Sequence, residues 1–262
     1  MRHLKRWWRG FCGERLNSPR RTEIAEELRQ SFGLEHPPRL HLRGSRGHDG
    51  TYLVENIGIL RLANPHKNRP LPASDMPFVL SQTPLRIDRE WNAYGKCAPL
   101  GLTPKPLWRT HDALLCEYLP CRPLQAELAR DPASAWEILL RASQAIHRLH
   151  QAGIVHMDMS LANILADDAA QKLTFIDFEY APAPHISPAA ARVYDHLRLL
   201  ESTWKFIPPS LRADGGPWLD TVAGFFDSDM RRVHLDVLKP ALGRICQAPE
   251  LDLGRLCDAG KK

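Results

Sequence analysis

No apolar run in the 262 residues approaches 18, so the sequence predicts no membrane-crossing helix. No apolar segment follows the basic residues at the amino terminus, and a secretory signal is therefore not expected. Cysteine is sparse. The six thiols, at Cys12, Cys97, Cys116, Cys121, Cys246 and Cys257, include no CxxC pair. That argues against a zinc ribbon or a disulfide framework and for free thiols in a reducing compartment. There is no internal repeat and no low-complexity tract, which sets aside fibrous and wholly disordered architectures. RNP, zinc-finger and helix-turn-helix signatures are also missing. The net charge of +5 thus permits an anionic partner without pointing to specific nucleic acid. What is there is ordinary for a globular protein, 44% hydrophobic and 25% charged, with length enough for one large domain or two small ones.

Residues 1–35 stand apart. Within the first 21, Arg2, Lys5, Arg6, Arg9, Arg15, Arg20 and Arg21 meet a single acid, Glu14, with Trp7, Trp8 and Phe11 among them. Cations interleaved with such aromatics suit an anionic membrane surface; a frayed, solvated terminus is the other reading. A helix is predicted to follow, with Ser18 as N-cap and Pro19 at its first position. It would bury Ile24, Leu28 and Phe32, which repeat every four residues. Residues 39–63 read as antiparallel strands, around Leu40 and Leu42 and then over Thr51–Glu55 and Ile57–Ala63. The Pro-rich stretch from Asn64 to Pro84 reads as a loop, Ile87 to Lys96 as a short helix, and Pro104 to Pro120 as another strand pair.

The composition then changes. Ala133 to Gln151 is the strongest helical segment, with Trp136, Leu139, Leu140, Ile146 and Leu149 at spacings of three and four. Asn163–Ala166 and Lys172–Ile176 read as a hairpin around Asp167-Asp168, and the chain from Ala189 onward reads mostly as helix. A strand-rich first part and a helical second part predict an α+β, two-lobe arrangement. The expected divisions are an extension at 1–35, a first lobe at 36–119 and a second lobe at 120–262.

The sharpest pattern is His156-x-Asp158-x4-Asn163, followed by Phe175-Ile176-Asp177-Phe178-Glu179. For this composition, chance supplies about 0.02 occurrences of the first half alone. The pattern follows a long helix and brackets a hairpin, which brings Asn163 and Asp177 together in space. Two such oxygen-bearing side chains suit a hard cation, and a third side chain, the carboxylate of Asp158, suits the proton of an attacking hydroxyl.

These residues resemble the protein-kinase-like superfamily, whose signatures include an HRD-x4-N catalytic loop and a DFG-type metal aspartate. The resemblance runs over roughly residues 39–200. It implies a bilobal fold, with a small antiparallel sheet in the first lobe and mainly helices in the second, and ATP and Mg2+ as cofactors. Asp158 is then the residue that orients or deprotonates the nucleophile, and Asn163 and Asp177 are the Mg2+ ligands. The resemblance makes His156 a support of the loop and Asp195 a helix acid that braces it, with a plain helix-terminal acid as the alternative for Asp195. The first lobe should pair a phosphate-holding cation with Glu90. The usual lysine is here Arg61, with Lys67 a second candidate cation; a tolerated variant and a weakened site are both open. Gly44, Gly47 and Gly50 are spaced G-x-x-G-x-x-G instead of G-x-G-x-x-G, a phosphate cradle or a plain hairpin turn. Glu117-Tyr118-Leu119-Pro120 occupies the hinge position, where the backbone of Glu117 and Leu119 would hold adenine.

The subtype follows from the segment between Asp177 and Asp195. It spans only 18 residues and contains no Ala-Pro-Glu, whereas peptide-docking kinases use a longer one. Asp177-Phe178-Glu179-Tyr180 is similar to choline and aminoglycoside phosphotransferases. The short segment and Leu199-Leu200-Glu201-Ser202 look more like bacterial lipopolysaccharide core kinases, which phosphorylate heptose or 3-deoxy-octulosonate sugars. That resemblance implies an anionic glycolipid acceptor and a cytoplasmic protein in peripheral contact with the inner membrane. The alternatives are an atypical Ser/Thr protein kinase and a pseudokinase that binds nucleotide without turnover, the latter supported by Arg61.

Overall fold

The computed structural model describes residues 13–44, 49–67, 70–167 and 172–257. The chain divides into two compact units, the first drawn from residues 1–71, 82–95 and 104–119 and the second from 72–81, 96–103 and 120–262. In chain order the elements used below are α1 (Ser18–Phe32), β1 (Leu40–Gly44), β2 (Asp49–Val54), β3 (Gly58–Ala63), β4 (Phe78–Leu80), α2 (Thr83–Cys97), β5 (Pro106–Arg109), β6 (Ala113–Cys116), β7 (Arg122–Pro123), α3 (Leu124–Arg130), α4 (Ala135–Gln151), β8 (Ile164–Ala166), β9 (Leu173–Phe175), β10 (Tyr180–Pro182) and α5 (Pro188–Thr203).

The first unit is a five-stranded antiparallel sheet in the order β1-β2-β3-β6-β5. Alternation along β3 sends Leu60 and Leu62 into one face and leaves Arg61 facing the other way. Leu60 and Leu62 pack with Tyr52, Val54, Ala113 and Leu115, and α1 closes the cluster with Ile24 and Leu28. Burying each such aliphatic side chain stabilises the unit by about 1.5–3 kcal/mol. The charged end of α1 is tied down as well. Arg20 donates Nε and Nη2 to the two carboxylate oxygens of Asp112, both at 2.9 Å, and Asn17 reaches the Ala63 carbonyl at 3.2 Å. Arg15 is exposed, and the guanidinium of Arg21 lies over the Tyr52 ring at 5.8 Å. Arg2, Lys5, Arg6, Arg9, Trp7, Trp8 and Phe11 lie outside the described residues.

The second unit is mainly helical. It holds a three-stranded sheet, β7-β8-β9, and a two-stranded one, β10-β4. The apolar face of α4 buries Ile138, Leu139, Ala142, Ile146 and Leu149. The indole of Trp136 donates to the Leu211 carbonyl at 2.7 Å, and that of Trp218 to Ser143 Oγ at 3.0 Å. Helix α5 begins on a capping hydroxyl, Ser187, with Pro188 at its first position. It is buried almost around its circumference, Asp195, His196 and Glu201 included. The buried carboxylates of Asp195 and Glu201 are hydrogen-bonded, as buried charges must be, whereas neither ring nitrogen of His196 has a hydrogen-bond partner, and Asp195 is the residue of α5 that holds the site. Among the described residues no helix is long and apolar enough to cross a membrane.

Several local expectations need correction. The N-cap position of α1 falls on Asn17, with Ser18 the first helical residue. Phe32 is 38% exposed, because α1 turns away from the core after Leu28 and stops at the left-handed Gly33. Leu42, on edge strand β1 opposite Tyr52, is nonetheless exposed. The segment expected as a loop between Asn64 and Pro84 contains β4, whose partner β10 lies a hundred residues on (Phe78 opposite Pro182). Three half-exposed residues carry no readable alternation. Helix α2 starts earlier than expected, at Thr83. The hairpin around residue 167 forms as read, with Ile164 opposite Phe175.

Gly58 shows why β3 and β6 can close up: a Cβ there would sit 2.1 Å from the Cys116 carbonyl oxygen. Gly58→Ala should therefore destabilise the protein by about 1–3 kcal/mol through forced backbone displacement. Urea unfolding with a midpoint equal to wild type would refute that contact.

Candidate active site

In the second unit the hairpin β8–β9 places two of the expected residues side by side. Asn163 ends a short 3-10 turn and Asp177 follows β9, and the Ile176 N–H donates to the Asn163 carbonyl at 3.0 Å. The Asn163 amide nitrogen donates to the Asp158 backbone carbonyl at 2.9 Å and stands 3.5 Å from its Oδ2. Its oxygen is thereby the atom left for a cation. His156 is fully buried and connects the two segments. Its Nε2 lies 2.9 Å from the Ile176 carbonyl and its Nδ1 accepts the Asp158 N–H at 3.3 Å. That pattern assigns the proton to Nε2. The ring also packs on Phe178, with centroids 4.5 Å apart.

Asp195 holds the loop from α5. Its carboxylate is 0% exposed and accepts the N–H groups of His156 and Met157, each at 2.8 Å, and faces His150 Nε2 at 3.0 Å. Burial alone would push this carboxyl up, but the His150 hydrogen bond and the two imidazoles hold it below the usual carboxylate range. The N–H groups it accepts flank a strained position. Met157 has φ 68° and Asp177 has φ 73°, left-handed backbone that costs a non-glycine residue about 1–2 kcal/mol.

Asp158 sits between opposing influences. Burial pushes its carboxyl up, the nearby Asp177 adds to that, and Arg198 and His156 pull it down; the result is a raised value. Arg198 donates Nη2 to Asp158 Oδ1 at 2.9 Å. The sequence reading missed Arg198. The signal was there, since it follows Asp195 by three residues and so shares its helix face. One carboxylate oxygen is thus held by a guanidinium, and the other carries no comparably short bond.

The first unit holds a separate cluster of charges. Arg61 donates from Nη1 to Glu90 at 2.7 and 2.9 Å and from Nη2 to Asp49 at 2.9 Å. Glu90 is buried and also accepts the Tyr94 hydroxyl at 2.6 Å. Asp49 receives Arg86 at 2.7 Å. Burial would raise Asp49, but Arg61 and Arg86 keep it below the usual carboxylate range. A guanidinium, with donors on both terminal nitrogens, forks between the two acids. Asp49 and Arg86 were not foreseen as partners. Lys67 is engaged elsewhere, 2.5 Å from Glu14 and 3.0 Å from the Asp49 carbonyl. Gly44 and Gly50 lie in β1 and β2, and a Cβ on Gly50 would strike the Tyr52 ring. Gly47 lies outside the described residues. At the end of the unit, the Glu117 N–H is spent on the Lys105 carbonyl at 2.9 Å, while Leu119 is half-buried. Among the described residues no three His, Cys, Asp or Glu side chains cluster as a metal site. His147 stacks on Phe225.

Residues 112–212 match the lipopolysaccharide kinase (Kdo/WaaP) family model. That segment contains Asp158, Asn163, Asp177, Asp195 and Arg198. The chain is thus kinase-like, close to the lipopolysaccharide kinases in pattern, and a phosphotransferase acting on an alcohol group. No curated protein gives a significant match. Similar solved structures include the Mycobacterium tuberculosis PknI kinase domain, 15% identical over 78% of this chain and 94% of that one, with a TM-score of 0.43. A double mutant of the same domain is 15% identical over 77% and 94%, with a TM-score of 0.47.

Removing the guanidinium, as in Arg198→Met, takes away a cation that favours the charged carboxylate, so the Asp158 carboxyl should titrate at still higher pH than in wild type. Carboxyl-carbon NMR titration reads this directly, and an unmoved midpoint would show that Arg198 does not act on Asp158.

Proposed function

We propose that the protein transfers the γ-phosphate of ATP to a sugar hydroxyl of an anionic glycolipid, the lipopolysaccharide core. One observation supports this reading: Asp158 and Asn163, in a loop held by Asp195, are joined through His156 and the β8–β9 hairpin to the segment that carries Asp177, within the stretch that matches the lipopolysaccharide kinase family.

The residues fit the cofactors. Asn163 presents an amide oxygen, its nitrogen being held by Asp158, and Asp177 stands across the hairpin. Two protein oxygens, with phosphates supplying others, suit Mg2+. When bound, Mg2+ neutralises charge on the β- and γ-phosphates. Asp158 orients the acceptor hydroxyl and takes its proton as the new O–P bond forms and the bond to the ADP oxygen breaks. Its raised carboxyl makes it a better proton acceptor than an ordinary aspartate. Arg198 keeps Oδ1 occupied and leaves Oδ2 for that proton. In the first unit, Arg61 and Glu90 are paired as a phosphate-holding cation and its acid would be. The carbonyl of Glu117 and the backbone of Leu119 are the adenine contacts, since the Glu117 N–H is already used.

A second reading has a specific observation behind it. Arg61 is held by Asp49 as well as by Glu90, an arrangement that suits a nucleotide-binding pseudokinase. Transfer of labelled γ-phosphate from Mg2+-ATP to purified rough lipopolysaccharide, with cytosolic protein as competing acceptor, separates the readings. Label in the glycolipid is expected. Asp158→Asn should lower it by at least about a hundredfold and leave ATP affinity unchanged. Label confined to protein would move the assignment to a protein kinase, and ATP binding without any transfer would favour the pseudokinase.

Peripheral membrane contact is proposed for residues 2–12 alone, because Glu14 and Asn17 onward are built into the first unit. Deleting 2–12 should weaken partition onto anionic vesicles and leave neutral vesicles unaffected; equal partition of both proteins would remove the membrane role.

A further inference from the structure

In the first unit, β2 and β3 end on a pair, Asp49 opposite Ala63, and the chain in front of α1 grips both members. Asn17 donates its side-chain amide to the Ala63 carbonyl at 3.2 Å. Glu14 reaches Asp49 through a relay. Its Oε1 stands 2.5 Å from Lys67 Nζ, and that ammonium donates to the Asp49 carbonyl at 3.0 Å. The other carboxylate oxygen of Glu14 accepts the Tyr52 hydroxyl. Gly13 lies so near the Lys67 stem that a Cβ there would stand 3.2 Å from its Cγ.

The relay is buried, with the side chains of Glu14, Lys67 and Asp49 only 9%, 5% and 4% exposed. Buried charges persist only when paired, and each of these has a partner. Alternation along β2 puts Tyr52 on the face covered by α1 and Asp49 on the opposite face. Arg61 shares that opposite face, because it lies across from Thr51. Asp49 is therefore held at both its ends. Lys67 holds its carbonyl, and Arg61 and Arg86 hold its carboxylate at 2.9 and 2.7 Å. A carboxylate that fixes one arm of a guanidinium also sets where the rest of it points, and a displacement of about 1 Å is enough to lose much of a positioned contact.

We propose that Glu14 and Lys67 are positioning residues for nucleotide binding: the buried pair fixes the main chain at Asp49, and Asp49 aims Arg61 at the nucleotide phosphates. The proposal rests on the reading of Arg61 as the phosphate-holding cation. The stretch that matches the family model begins at residue 112 and contains neither Glu14 nor Lys67. The chain in front of α1 thus belongs to the nucleotide-binding machinery and is more than an appendage to it.

Removing one charge of the pair leaves the other buried alone, which weakens the sheet for that reason by itself. The test therefore removes both. Glu14→Gln combined with Lys67→Met preserves side-chain length and an acceptor for Tyr52. A neutral pair then replaces an ionic one, so Tm should stay within about 5 °C of wild type. The donor to the Asp49 carbonyl is nevertheless gone. In calorimetric titration the double variant should bind ATP about fivefold more weakly. The Arg61 Nε resonance of the nucleotide-free protein should shift. The KM for lipopolysaccharide should hold, since Asp158 and its loop belong to the second unit. Ile24→Val serves as the comparison. It thins the core beneath α1, lowers Tm by a few degrees and touches no member of the relay, so it should bind ATP as wild type does. Wild-type ATP affinity in the double variant overturns the proposal. Ile24→Val weakening ATP by the same factor also overturns it, because affinity would then follow stability alone. A wild-type protein that binds no ATP, with an Arg61 resonance that still shifts in the double variant, removes the phosphate-holding reading of Arg61 and keeps the relay.

Discussion

The carboxylate of Asp195 is the interaction on which the second unit's chemistry depends. It is a buried charge, and a buried charge is tolerated only where hydrogen bonds replace the lost water. Here two backbone N–H groups and an imidazole do so. The replacement has a structural consequence. The groups that satisfy the carboxylate belong to the loop that carries Asp158, so the loop is pinned in a backbone conformation that Met157 would not otherwise adopt. His156 passes the constraint on to Ile176, the residue before Asp177. One charge on α5 thereby sets the positions of two segments separated by a hairpin.

A parallel device operates in the first unit, where Arg61 and Arg86 meet Asp49 and Glu90. Four charges, largely removed from water, are stable together because each has a partner and Arg61 forks between two. The arginine is therefore more than a lysine of another shape, since it joins β2, β3 and α2 within the unit. The same bonds bear on phosphate binding. A cation that already holds two acids offers less to a third anion than a lysine paired once, which is why the kinase and pseudokinase readings turn on measured transfer instead of on the residue type.

Much of the site was legible because its spacing is local. The x4 interval between Asp158 and Asn163 and the strands before Asp177 make a loop and a hairpin whatever surrounds them, and β8 pairs with β9 as read. Arg61 and Glu90 were legible as a strand–helix pair. Less was legible where a short element leans on a distant one. Strand β4 has three residues and a partner at 180–182, and nothing in Phe78-Val79-Leu80 announces it. The apolar repeat of α1 was read one residue too far, because periodicity shows which face is apolar and not where the core ends.

By itself, the sequence determined the α+β order of elements and the spacing of Asp158, Asn163 and Asp177 about a hairpin, because both follow from short-range periodicity and loop length. Tertiary structure alone decided what surrounds those residues. Arg198 reaches Asp158 across 40 positions, Asp49 receives Arg61 and Arg86, and Tyr194 is left with a buried hydroxyl that has no hydrogen-bond partner. The physical reason is the difference between the two kinds of constraint. Backbone geometry limits what neighbours in the chain can do, whereas burial, and the charge and hydrogen-bond pairing that burial demands, depend on which helices and strands are packed against each other.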